Sequence, residues 1–263
     1  MMLRSAALSL ALAAMVATAF AADANNFTLV NAAGKTVGKA SYSIDKVKDG
    51  VRVRCKFQYR ITVHGSEQTS EQAGDPSAHS SGIPVTEAQY SGEYKISAAG
   101  DFLSGFTQNS ANQMLTSYQP GKKGDLLTIG QIQGGVNGGS RDLPLPAPHF
   151  LLAPNYDPSA LQVLLTTALS QPHANSTYLL VVPAGPNVRG GGGDNALYVT
   201  LQPERSSAAS GTLAGKPLTL KHYLMNYHEG HADLYADADG TLMEADLGPL
   251  GVNYIRTGFT LAP

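Results

Sequence analysis

The chain has 263 residues, with 18 lysines and arginines against 20 aspartates and glutamates, a formal net charge of -2. Such a balance excludes the basic footprint expected of a nucleic-acid binder or of a protein held to an anionic membrane. Hydrophobic residues at 43% can build an ordinary core, while 28 glycines and 15 prolines suit many strands joined by tight turns.

The N-terminal stretch "MMLRSAALSLALAAMVATAFAADANN" has a positive start at Arg4, an apolar run from Ala6 to Val16 and the small-x-small site Ala19-Phe20-Ala21. This pattern predicts a secretory signal peptide over 1–21, followed by a single β-rich domain over 22–263. The expected product is soluble and exported, periplasmic or extracellular. A lipid anchor would need a cysteine at the cleavage site, and the only one is Cys55. A lone cysteine also excludes an internal disulfide, and Cys55 reads as a buried, inert thiol. No later stretch reaches the roughly 18 apolar residues of a membrane span.

In "GKTVGKASYSIDKVKDGVRVRCKFQYRI", Asp49-Gly50 separates two alternating runs, a hairpin signal because both residues tolerate positive φ. A two-residue loop of Asp49 and Gly50 places Ile44 opposite Cys55, Tyr42 opposite Phe57 and Asp45 opposite Arg54. Arg52, Arg54, Lys56 and Arg60 then form a basic stripe on the polar face. With "VTEAQYSGEYKIS" paired on the far side, Glu87 and Glu93 join that face, so a balanced charge lattice is favoured over an anion-binding patch. The face to inspect for a ligand is the apolar one.

Short strands follow in "FLSGFTQ", "NQMLTSYQP" and "DLLTIGQIQ", then an irregular Pro-rich segment over 134–158. "DPSALQVLLTTALSQP" predicts a helix over about 157–171, with Asp157 as N-cap, Pro158 at the first position and Pro172 past the end. Between Pro158 and Gln171 it carries no charge, so it should be covered around most of its circumference. Strand signals resume at Thr177 and continue to the C-terminus. Because strands and helices never alternate, a parallel sheet is disfavoured. The expected fold is mainly β: a large curved antiparallel sheet, or open β-barrel, wrapping one apolar helix.

Three local motifs bear on chemistry. The glycine tracts "GGVNGG" and "RGGGG" lack the strand-to-helix setting and Lys-Ser/Thr pair of a phosphate loop, and read as connections. "YADADG" is similar to the start of a calcium loop but begins with Tyr235 and is flanked by strands. "HEGH" lacks the four-residue helical spacing of a zincin. With Glu229-Gly230 and Asp239-Gly240 as two-residue turns, His228 faces His231 and Asp233 faces Asp246. His228, His231, Asp233 and Asp246 are therefore candidate ligands for a divalent metal, and the sequence suggests no other cofactor.

The opening "FTLVNAAGKTVGKASYSI" and the closing "ADLYADADGTLMEADLGPLGVNYIRTGFTL" resemble uncharacterised bacterial periplasmic proteins with a curved antiparallel sheet. Their plan is similar to that of the lipoprotein carriers LolA and LolB. That resemblance implies an open β-barrel that holds acyl chains in a hollow lidded by helices, and it transfers no functional residue.

The leading expectation is a non-enzymatic binding protein for a lipid or small apolar molecule. Tyr42, Phe57, Tyr59, Tyr90, Tyr94, Leu161, Leu164 and Leu165 would line the space between sheet and helix. One alternative is a metal-dependent hydrolase or metal-binding protein using the 222–246 cluster, and another is an envelope scaffold. The sequence leaves the oligomeric state open.

Overall fold

The computed structural model describes residues 25–61, 86–98, 100–110, 113–121, 124–144, 150–152, 157–170, 177–182, 195–227, 230–248 and 252–263. The expected signal peptide, the polar segment over 66–84, the "RGGGG" tract and His228 lie outside them.

Strands β1 (Asn25–Asn31), β2 (Thr36–Val47), β3 (Gly50–Ile61) and β4 (Thr86–Ser97) begin an antiparallel meander. It continues through β5 (Phe102–Asn109), β6 (Met114–Pro120), β7 (Leu126–Gln133) and β8 (Val136–Pro144). Next come β9 (Phe150–Leu152), the helix α1 (Pro158–Ser170), β10 (Thr177–Val182) and β11 (Asn195–Leu201). A 3-10 turn at Pro203–Arg205 leads into β12 (Ser207–Leu213), β13 (Lys216–Tyr227), β14 (Gly230–Ala236), β15 (Leu242–Asp246), β16 (Val252–Arg256) and β17 (Phe259–Leu261). The expected fold class is what is found: a large open antiparallel sheet with one α-helix among the described residues.

Two pairings curl the sheet. β16 returns to lie beside β1, with Phe27 opposite Arg256 and Asn31 opposite Val252. β13 is long enough to be shared along one edge by β12, at 216–222, and β11, at 225–227, while β14 takes the other edge. β17 then folds back onto β12 through Gly211 opposite Leu261. That last pairing encloses a small second core of Leu220, Met243 and Phe259. A Cβ on Gly211 would lie 2.7 Å from the Thr260 carbonyl oxygen and 2.8 Å from the Phe259 ring, so close packing here requires glycine. Among the described residues one parallel contact exists, β9 with β10, at the end of an otherwise antiparallel sheet.

The register of two hairpins differs from the expected one by two residues. Lys48 and Asp49 form the first turn, Val47 pairs with Gly50, and Tyr42 stands opposite Cys55 instead of Phe57. Gly50 is the first residue of the returning strand, at φ +148°, where any Cβ would collide with the carbonyl of Ile96 on β4. Gly230 occupies the equivalent place in the β13/β14 hairpin, opposite Tyr227 at φ +156°. Because side chains alternate with period two, a slip of two keeps every residue on its expected face. The β14/β15 register is the expected one, with Asp233 opposite Asp246, until a bulge beyond Tyr235.

The "GGVNGG" tract is more regular than its composition implies. Gly134 and Gly135 make a two-residue turn between Gln133 and Val136, and the following residues form β8. Most of β8 is exposed, so its pairing with β7 needs no apolar alternation, the signal on which a strand prediction depends.

Candidate functional site

Helix α1 lies in the hollow of the curved sheet, and nine of its thirteen residues are buried. Leu161, Leu164, Leu165 and Ala168 are each 0% exposed and form one core with Phe27, Tyr42, Val53, Cys55, Phe57 and Tyr94. The expected seam between helix and sheet is therefore present as a packed interface. Of the eight predicted lining residues, Tyr42, Phe57, Tyr94, Leu161, Leu164 and Leu165 belong to it, and Tyr90 packs against it by stacking on Phe57, ring centroids 5.2 Å apart. Tyr59 is placed by its backbone in β3, opposite Gly38 and Ala88.

Two polar devices set the helix in place. Asp157 caps it: Oδ1 accepts from the backbone N–H of Ser159 at 2.8 Å and of Ala160 at 3.2 Å, and from the Ser159 hydroxyl. Its other oxygen is buried and has no hydrogen-bond partner among the described residues. Burial raises this carboxyl from the ordinary 3.8 to about 6, against the opposing pull of those donors. Close by, the Cys55 thiol stands 4.0 Å from Tyr94 Oη, and burial pushes both groups well above their ordinary values. A thiol held neutral in this way is a poor nucleophile, in keeping with an inert Cys55.

Gln162 is the second device, and sequence reasoning missed it. Its Oε1 accepts from the Tyr42 hydroxyl at 3.0 Å and the Leu242 N–H at 2.8 Å, while Nε2 donates to the Gly240 carbonyl at 2.9 Å and to Thr166 Oγ1 at 3.0 Å. All four bonding capacities of the amide are used, so burying it costs little. Through this one side chain the helix is joined to β2 and to the β14/β15 turn. The available signal was a single long polar residue inside an uncharged, apolar helix.

The polar face of β2–β4 carries the predicted charge lattice. Arg54 bonds Asp45 Oδ2 through Nη1 at 2.6 Å and Glu93 Oε2 through Nε at 3.0 Å, and Arg52 Nε lies 3.5 Å from Glu93 Oε1. Asp45 is directly opposite Arg52, so its bond to Arg54 is a diagonal one across the shifted register. Toward the other end of these strands the same face holds a cavity of about 470 Å³, with Phe57 and Tyr90 among the residues around it.

The candidate metal ligands do not gather among the described residues, where no group of three or more potential ligands stands together. Asp233 and Asp246 do face each other across the ladder. Asp233, however, turns to His222, with Oδ1 2.6 Å from Nε2, and Asp246 accepts from the Gly248 N–H at 2.8 Å. His231 is exposed, opposite Asn226. His222 also meets Ser207 Oγ through Nδ1 at 3.2 Å and stacks on Tyr235 with ring centroids 4.8 Å apart. This line of hydroxyl, imidazole and carboxylate fastens β12 to β14 across β13. Asp237, the first acidic residue of the calcium-like motif, instead receives the N–H groups of Asp239 at 3.0 Å and Thr241 at 2.8 Å and so shapes its own turn.

The fold and site define an open, barrel-like β-protein with its own helix in the hollow. The chain is similar in structure to a beta-barrel-like protein of a domain of unknown function, DUF1849, from Brucella abortus. The TM-score is 0.52 at 11% sequence identity, covering 91% of this chain and 97% of that one. This likeness establishes the plan of the fold and by itself shows no likeness to LolA or LolB. No protein-family model matches the chain, and no curated protein matches it.

Proposed function

We propose that this is an exported, soluble, non-enzymatic protein that holds an apolar or amphiphilic molecule between its curved sheet and helix α1. The observation that carries the reading is the helix itself: thirteen residues without a charge, seated in a concave sheet by apolar side chains. Within the proposal, Leu161, Leu164 and Leu165 fill the space that an acyl chain occupies when ligand is bound. Ligand entry then requires α1 to move outward, which breaks the four Gln162 bonds and leaves the cap at Asp157 as the pivot. Apolar burial supplies the binding free energy, at roughly 25 cal/mol per Å² of surface removed from water. Native mass spectrometry of protein purified gently from its source is expected to reveal a retained lipid-like mass. Consistent detection of the bare polypeptide alone, across several extraction conditions, would overturn the reading.

A further inference from the structure

The core beneath α1 changes character along the helix. Around Leu161, Leu164 and Leu165 it is apolar, whereas near the cap a strip of buried polar groups crosses the inner face. Ser159 reaches the Cys55 thiol on β3, which stands 4.0 Å from Tyr94 Oη on β4. Tyr94 can occupy this place because residues 92 and 105 are glycines. A Cβ on Gly92 would lie 2.7 Å from its hydroxyl, and one on Gly105 would lie 2.5 Å from its ring. Tyr94 in turn feels Tyr118 on β6, whose hydroxyl meets Thr107 Oγ1 on β5 at 3.2 Å.

At the helix end of this strip one demand is unmet. Asp157 is 0% exposed; its Oδ1 takes every donor of the helix start, and its Oδ2 takes none. No cation is among the groups that act on it. After burial, the main cause, the Asp157 charge helps to raise the Cys55 thiol and the Tyr94 and Tyr42 hydroxyls, so the carboxylate faces β2, β3 and β4. Two nearby hydroxyls spend their protons elsewhere, Tyr42 on Gln162 and Ser159 on Oδ1. A sunken carboxylate oxygen with neither donor nor counter-charge is costly, and proteins rarely keep one without a use. The two oxygens divide the work: Oδ1 holds the helix start, and Oδ2 is left for something else. The missing group is compact, positive and rich in N–H donors, which describes a primary ammonium. A hydroxyl would bring a donor without the charge, and a carboxylate would be repelled.

We propose that the ligand is a cationic amphiphile whose primary ammonium head binds Asp157 Oδ2 at the start of α1 while its tail lies along Leu161, Leu164 and Leu165. This rests on the reading that α1 moves outward to admit an apolar chain, and it adds which end of the seam takes the head and what chemistry that head has.

The test compares dodecylamine, dodecanol and dodecanoate by equilibrium dialysis below their micellar concentrations, at a pH of about 7.5, where Asp157, at about 6, is ionised. Three proteins are used: the unaltered one, Asp157→Asn and Glu244→Gln. Glu244 serves as control, a buried carboxylate whose Oε1 already accepts from Asn253 Nδ2 at 2.9 Å. The unaltered protein and Glu244→Gln are expected to bind dodecylamine about tenfold more tightly than dodecanol, the effect of one charge-assisted hydrogen bond, and dodecanoate most weakly. Asp157→Asn is expected to lose that preference while binding dodecanol as the unaltered protein does, which shows the seam intact. Equal binding of the three probes by the unaltered protein overturns the ammonium assignment and leaves the seam reading standing. So does a preference for dodecylamine that survives in Asp157→Asn, or a loss of dodecanol and dodecylamine together in that variant, which marks a purely structural cap. Binding of no probe by the unaltered protein overturns both this proposal and the reading beneath it.

Discussion

Strands β2, β3 and β4 present two faces made from the same backbone, and the contrast between them explains most of the molecule. On the inner face, Tyr42, Val53, Cys55 and Tyr94 are at most 3% exposed, and the polar groups of Tyr42 and Gln162 are tied by short bonds in fixed directions. On the outer face, Arg52, Arg54, Asp45 and Glu93 pair among themselves while remaining 28% to 49% exposed. Ion pairs that water can reach are worth little, whereas a methylene group or an unpaired oxygen under the helix is felt in full. The inner face therefore carries the stability, and the outer face contributes little to it.

The largest effect should come from emptying part of the inner face. Leu164→Ala leaves a void where a fully buried side chain now meets the sheet, and is expected to cost about 2–5 kcal/mol in urea or guanidinium unfolding. A loss below about 1 kcal/mol would mean that the seam relaxes freely and that its packing has been overstated.

Next is the buried cap. Because the folded protein holds the Asp157 proton more tightly than the unfolded chain does, folding is most favoured, as far as this group is concerned, below the unfolded value. That advantage is lost as the pH rises from about 4 to about 6, and the penalty is constant above. The difference is on the order of 2–3 kcal/mol. Asp157→Asn keeps a good N-cap and removes the charge. Its melting temperature, followed by circular dichroism from pH 4 to 7, should fall less than that of the unaltered protein. Parallel curves for the two proteins would show that Asp157 is not the group responsible.

The smallest effect belongs to the outer face. Arg54→Gln removes two ion pairs, yet their exposure limits the cost to less than about 1 kcal/mol, declining further with added salt. Denaturant unfolding at low and high ionic strength would detect a larger, salt-independent loss. Such a loss would erase the distinction drawn between the two faces.

Much of this contrast was legible in the residues. Alternation in "VRVRCKFQYRITV" assigned each side chain of β3 to a face, and the absence of charge between Pro158 and Gln171 located the covered helix and its cap. The pairing details were less legible. Both hairpins place glycine one step later than expected, at the start of the returning strand, and at Gly50 the third strand's carbonyl comes too close for a side chain. A two-strand argument contains no third strand. Gln162 was missed for a similar reason, since its partners Tyr42 and Leu242 lie 120 and 80 residues away. The metal hypothesis placed Asp233 against Asp246 correctly. It did not anticipate that the two-residue slip of β13 against β14 brings His222 close enough to take the Asp233 carboxylate.

The sequence by itself determined which side of β2, β3 and β4 is wet, that one uncharged helix must be covered, and that Asp157 begins it, because these follow from periodicity and local hydrogen bonding. Tertiary structure alone decided the register, the return of β16 to β1 and of β17 to β12, and the partners of Gln162. Those outcomes depend on contacts between distant segments and on steric limits that appear only when the strands meet.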